Sequence, residues 1–314
     1  MDADKLIESL IRAFMFLAGI LGNSWLALIS IPKQKTEIRT NDVLFLNLAM
    51  SNLITNYLVD LPDTTADFAG RWFLGETYCG IFHFCSDLSE TSSLFTTLFI
   101  SAFWHQKLVG SLKRGGAPVQ LDSLRLVGYL LVGSWMLATI FSIPHFFFSS
   151  VERMNESQQS CTELFPDALS RQTYEIVFLT VANAFPLAGI IIASVQIVVT
   201  LLRTRRHVRS QERPSASSET CSVQPRLHFS TPVQKPSKQS PKSSPQVRAA
   251  KSVVAVASVV LLCWLTHLLL RISSNIHASP QVVEVASYIA ASYTCIIPYM
   301  FLHGVKKLSC SCTK

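Results

Sequence analysis

Charge is scarce in this sequence. Of 314 residues only 15% are Asp, Glu, Lys or Arg, while 49% are hydrophobic. The charged residues cluster between long apolar runs, which excludes an ordinary pair of soluble domains and fits helices that cross a bilayer about 20 residues at a time. Catalytic signatures are missing too. There is no glycine-rich phosphate loop, no HExxH pair and no glycine-flanked serine nucleophile, so neither an enzyme nor a bound cofactor or metal is expected. Ser142 and His145 share a span, but serines in membrane helices commonly serve as interhelical hydrogen-bond partners. No internal repeat is evident, which argues against transporter folds built from repeated halves. The first five residues carry no net positive charge, and the apolar run from Ile11 to Ile31 exceeds a signal-peptide core, so a retained first span is expected. The net charge is +7, yet its basic residues fall in loops expected to be cytoplasmic. Topology and contact with anionic lipid account for them, and no nucleic-acid partner is expected.

What the chain does contain is seven apolar runs, at about residues 7–31, 41–61, 78–107, 123–146, 172–202, 249–273 and 282–305. The expected fold is an all-α membrane protein, a seven-transmembrane helix bundle occupying residues 1–305. Lys33, Lys35, Arg39, Lys113, Arg114, the basic run 203–209, Lys306 and Lys307 all follow odd-numbered spans. That bias puts the N-terminus outside and the C-terminus in the cytoplasm. Residues 203–248 turn abruptly to Ser, Pro, Gln, Lys and Arg with no apolar period, and are expected to form a disordered third cytoplasmic loop. Residues 306–314 make a short basic tail.

The third run carries a polar face. His83, Asp87 and Glu90 are spaced i, i+4 and i+7, so on a helix they align. Glu90 lies roughly 16 Å below Cys79, about halfway into the hydrocarbon. Ionisable groups at that depth mark a cavity, a partner or a ligand pathway. Two readings stand: a polar wall for a ligand, or an internal ion pair between helices, with Arg271 as the candidate partner. In the sixth run Trp264, His267 and Arg271 share a face as well. An anionic ligand would favour His267 and Arg271, a cationic one Asp87 and Glu90. Cys79 and Cys161 are the two cysteines expected outside, where the oxidising compartment favours pairing. Asn155-Glu-Ser157 is a glycosylation sequon on that same side, and Cys310 and Cys312 beside the tail lysines are palmitoylation candidates.

Several residues carry a resemblance to the rhodopsin-like G-protein-coupled receptors: Gly22-Asn23, the segment from Asn47 to Asn52, Trp72, Cys79, Trp135, Pro186, Cys263-Trp264 and Pro298. Departures accompany it. Asn52 replaces the family's usual acid, Phe103-Trp-His105 its acidic-arginine-aromatic triplet, and Thr266 its helix 6 proline. Ile297-Pro298-Tyr-Met-Phe301 stands for asparagine-proline-x-x-tyrosine. This pattern resembles the vomeronasal type-1 branch, and the stretch from Leu98 to Pro118 is similar to the fish olfactory receptor class A-related proteins. The resemblance implies a multi-pass plasma-membrane receptor that binds a small odorant or pheromone in its bundle and activates a heterotrimeric G protein. Lacking the helix 3 arginine, such a receptor would need another inactive-state lock, with His105 and Lys107 as candidates. The rival classes are a transporter or channel using the intramembrane carboxylates, and an adaptor working through the long loop.

Overall fold

The computed structural model describes residues 3–32, 38–113, 119–155, 158–211, 245–277 and 280–309. Among them run seven long helical segments. They are α1 (Ala3–Ser30), α2 (Thr40–Thr55, a π-helical turn Asn56–Asp60, then Leu61–Ala69) and α3 (Gly75–Lys113). The series continues with α4 (Leu124–Phe148), α5 (Ala168–Phe178, a π-helical turn Leu179–Ala184, then Phe185–Gln211), α6 (Pro245–His277) and α7 (Pro280–Ser309). The stretches Leu6–Ser30, Thr40–Ala69, Leu124–Phe148 and Ala168–Thr204 are each long and apolar enough to cross a membrane.

α1 shows how the sequence chooses its faces. Ser9, Phe16, Asn23 and Ser30 recur every seven residues and are all buried, whereas Phe14, Leu21 and Leu28, also seven apart, are 74%, 69% and 67% exposed. Large apolar side chains facing outward while polar ones face inward reverses the soluble pattern and suits lipid. Gly22 lets α1 approach α7 closely. A Cβ there would lie 2.8 Å from Pro298 Cγ and 2.9 Å from the Tyr299 ring.

α3 is the hub, packed against α2, α4, α5, α6 and the extracellular hairpin. Its buried stripe Ser89, Ser92, Ser93, Thr96, Thr97 and Ser101 is polar. With no water available, these hydroxyls bond to α2 and to their own helix. Thr55 Oγ1 donates to Ser89 Oγ (2.8 Å), Ser51 and Ser92 hydroxyls meet at 2.8 Å, and Asn47 Nδ2 donates to Thr96 Oγ1 (2.7 Å). Ser93 Oγ donates to Asn52 Oδ1 (3.0 Å), Asn52 Nδ2 to Asn23 Oδ1 (3.1 Å), and Asn23 Nδ2 to the Thr294 carbonyl (3.0 Å). One chain of amides and hydroxyls thus joins α1, α2, α3 and α7, and Trp135 Nε1 donating to Asn47 Oδ1 (2.9 Å) adds α4.

The boundaries differ from those expected in instructive ways. α2 runs beyond residue 61 to Ala69, ending at Gly70, whose φ of 66° is left-handed and suits glycine. Both π-helical turns lie just ahead of a proline, Pro62 or Pro186, which lacks the N–H for a regular bond to the carbonyl four residues earlier. In α2 that carbonyl is Leu58, and Tyr78 Oη donates to it at 3.4 Å. α5 and α6 reach into the segment expected as a disordered loop, helical through Gln211 and again from Pro245, and residues 212–244 lie outside the described ones. The connection after α4 holds a two-stranded antiparallel sheet, β1 (Ser149–Asn155) with β2 (Gln158–Glu163), in which Val151 pairs with Cys161.

Candidate functional site

The outer end of the bundle is closed by that hairpin. Cys79, at the start of α3, and Cys161, in β2, are joined by a disulfide with their Cα atoms 5.6 Å apart. Trp72 N–H donates to the Gln159 carbonyl (2.7 Å), fixing the strand over the α2–α3 turn. Beyond the hairpin, Asp167 caps α5. Its carboxylate accepts from the Ser170 backbone N–H at 2.6 Å and from the Ser170 hydroxyl, and these bonds hold its pKa below the ordinary value. That cap is complete above the ordinary carboxylate pKa and is lost as pH falls through the lowered one.

Beneath the hairpin is a charged cluster from three elements. His145 Nε2 of α4 is 2.6 Å from Asp87 Oδ2 of α3, and its Nδ1 is 2.7 Å from Glu163 Oε1 at the end of β2. His83 Nδ1 reaches the same Glu163 oxygen at 3.1 Å. One imidazole thus bridges two carboxylates from different elements, and it forms ion pairs with them when protonated. Tyr174 stands edge-on to the imidazole at 5.0 Å, and Phe165 and Phe178 close its other sides. These aromatic rings bury His145 and Asp87, while His83 and Glu163 stay partly exposed toward the cavity.

A second cluster stands across the bundle. Arg12 Nη1 of α1 lies 2.6 Å from Asp63 Oδ2 and 3.1 Å from Asp67 Oδ2 of α2, and its guanidinium carbon is 4.6 Å from the centre of the Tyr288 ring of α7. Between the clusters is a cavity of about 340 Å³. Asp60 of α2 and Glu90 of α3 line it, with Trp264 of α6 and Tyr293 of α7, whose rings are 5.6 Å apart. An outer vestibule of about 520 Å³, bordered by Glu8, Arg71 and Gln159, shares Asp63, Phe82 and Tyr288 with the inner cavity. The vestibule adjoins the extracellular hairpin, so the inner cavity faces the outside.

Of the residues singled out in the sequence, His83, Asp87, Glu90 and Trp264 come together on this cavity. His267 and Arg271 belong to α6, and their side chains lie outside the described residues. Asp87 has His145 as a partner, an imidazole that α4 brings directly against the α3 face, and the anticipated pairing with Arg271 falls on a side chain outside the described residues. The sequon residue Asn155 ends β1 opposite Gln158, with residues 156–157 outside the described ones, as are Cys310 and Cys312. At the inner end of α3, Lys107 Nζ lies 4.9 Å from the centre of the Phe103 ring and 5.8 Å from that of Trp104, while His105 is half-buried. Sequence reasoning missed Arg12, Asp60, Asp63 and Glu163 as cavity residues and set His145 aside. The available signal was depth: Arg12 and His145 are ionisable residues inside apolar runs.

Comparison with known proteins gives the architecture its place. Residues 22–303 match the family model of the 7 transmembrane receptor (rhodopsin family). The chain is 28% identical over 200 residues to melatonin receptor type 1B-B of Danio rerio, covering 64% of this chain and 55% of that one. It is 27% identical over 192 residues to C-X-C chemokine receptor type 4-B of Xenopus laevis, covering 61% of this chain and 51% of that one. The chain thus spans about half the length of these curated relatives. By the extent of the family match, the chain belongs to the rhodopsin family of seven-transmembrane receptors, multi-pass proteins of the plasma membrane that are receptors and not enzymes.

Proposed function

We propose that this protein is a chemosensory receptor that binds a small odorant or pheromone in the cavity between α2, α3, α6 and α7 and activates a heterotrimeric G protein. The observation that carries this reading is the inner cavity of about 340 Å³, within the range of small-molecule sites and adjoining the outer vestibule. Of the two relatives, the melatonin receptor is named for a small molecule and the chemokine receptor for a chemokine. The covering hairpin and the modest cavity favour the small molecule here. The olfactory or pheromone assignment rests on the resemblance of the stretch from Leu98 to Pro118.

The route of signalling follows from the lining. Trp264 is on α6 and borders the cavity, so a ligand touching its indole bears on the helix that continues inward to Pro245 and the long loop. A ligand shifts the conformational equilibrium only by its differential affinity for the two states. Lys107, lying over the Phe103 and Trp104 rings, is the proposed pin of the inner α3 end, with His105 beside it.

Guanine-nucleotide exchange on G protein, driven by small odorants applied to the full chain in cells, tests this reading. Ligand-dependent current without nucleotide exchange would replace it with the channel reading. Glu90→Gln is expected to move the half-maximal ligand concentration at least ten-fold with the surface level retained. Asp87→Asn is expected to lower the surface level as well, because Asp87 also holds His145. Equal responses from the native chain and Glu90→Gln would remove Glu90 from the site.

A further inference from the structure

We propose that the seam between α3 and α5 is a hydration site, in which one ordered water is held jointly by the Asn183 amide and the Thr91 hydroxyl. The site is separate from the inner cavity, whose described lining includes neither residue.

Asn183 stands in the π-helical turn of α5 and is 1% exposed. Among the described residues, neither its Oδ1 nor its Nδ2 finds a hydrogen-bond partner. Thr91 of α3 is fully buried, and its Oγ1 is likewise without one. The neighbouring hydroxyls of α3 behave differently. Thr96, Thr97 and Ser101 each donate to the carbonyl four residues earlier, and Ser89 donates to that of Ser86. Ser92 and Ser93 meet Ser51 and Asn52 on α2. An amide and a hydroxyl sealed from solvent cost free energy unless a further group pairs with them.

Both residues reach the seam at the same depth. α3 and α5 each begin at the outer surface and run inward, and they are in register further in. A Cβ on Gly189 would lie 2.5 Å from Leu98 Cδ1, and the Phe95 and Phe185 ring centres are 6.3 Å apart. Thr91 lies two turns outward of Leu98 on the same face of α3, about 10 Å along the axis. Asn183 lies about 9 Å outward of Gly189 along α5. The π-helical turn itself packs against α3.

Water suits these partners. Asn183 offers two N–H donors and a carbonyl acceptor, and the Thr91 hydroxyl does either. A buried water typically makes about three hydrogen bonds, so it can accept from the amide and still donate to the hydroxyl. Pro186 supplies no N–H to the turn, so a main-chain carbonyl there is also short of its usual donor. An ion would not recover its hydration from an uncharged amide and hydroxyl. The hydroxyl of a ligand has the same chemistry as water, and the test separates the two.

The full chain in lipid nanodiscs, without added ligand, is melted as the native protein, Asn183→Leu, Thr91→Val and the double variant. Each is first verified by circular dichroism to be folded, and Asn183→Ala takes the place of Asn183→Leu if the latter does not fold. Each single variant is expected to lower the melting temperature by several degrees. Thr91→Val is expected to cost no more than half as much beside Asn183→Leu as it does alone, because one water serves both side chains. A density map of the native chain that resolves waters is expected to hold an oxygen within hydrogen-bond reach of both residues. Benzyl alcohol and toluene are then added in parallel. Stabilisation by the alcohol alone, abolished by Asn183→Leu, would give the bridging oxygen to a ligand and overturn the water. An unchanged or higher melting temperature for either single variant, additive losses, or a direct Asn183–Thr91 hydrogen bond in the map would overturn the proposal as well.

Discussion

Replacing His145 by alanine is expected to destabilise the protein by about 3–5 kcal/mol, the range for breaking a buried charge pair on one side. The imidazole is 3% exposed and Asp87 10%, and on removal of the ring Asp87 and Glu163 lose the group that separates them. Asp87 then remains in a pocket walled by Tyr174, Phe165 and Phe178, with little solvent to answer its charge. Melting of the purified chain in nanodiscs reads the loss. A double-mutant cycle gives the sharper measurement. If the contact carries the effect, Asp87→Asn costs much less in the His145→Ala background than in the native chain. Additive losses would show that His145 acts through its packing alone.

The second large effect concerns the disulfide between Cys79 and Cys161, which are 82 residues apart in sequence. Cys161→Ser is expected to cost about 2–5 kcal/mol, through the freedom regained by the unfolded chain. It also frees the strand that carries Glu163, two residues further on, so the Glu163 contact with His145 loosens. The two effects should couple: His145→Ala in the Cys161→Ser background is expected to cost less than in the native protein. Reduction of the native protein should reproduce the melting temperature of Cys161→Ser. If Cys161→Ser melted within a degree of the native protein, hairpin attachment would have to be assigned to the Trp72–Gln159 bond instead.

The bundle was legible because bilayer physics writes itself into composition. Runs of about 20 apolar residues, interrupted by loops with biased Lys and Arg, leave few alternatives. The α3 face was legible for a related reason, since His83, Asp87 and Glu90 obey helical spacing within one element. Their partners did not follow from spacing. His145 comes from α4 and Glu163 from the hairpin, and only tertiary packing brings them to Asp87 and His83. Arg12 meets Asp63 across 51 residues for the same reason. The hairpin lacks the apolar alternation that announces a half-buried sheet; cross-strand backbone pairing and the disulfide define it instead. Extension of α2 past residue 61 was hidden by Pro62, which reads as a stop but is accommodated by the π-helical turn before it.

That turn also sets the angular phase of the outer half of α2. Each residue of a regular helix advances about 100° around the axis, so the wider turn offsets everything beyond it from the inner half. Asn52 and its amide partners keep one phase, and Asp63 and Asp67 keep another that points them at Arg12. Deleting a single residue between Asn56 and Asp60 would leave the helix able to close its bonds as a regular α-helix. The outer acids would then still face their guanidinium, because the lost residue and the lost widening cancel, whereas relaxing the turn with every residue kept would swing them by roughly 100°. In this helix the width of one turn, as much as the identity of its residues, decides which carboxylates face the cavity.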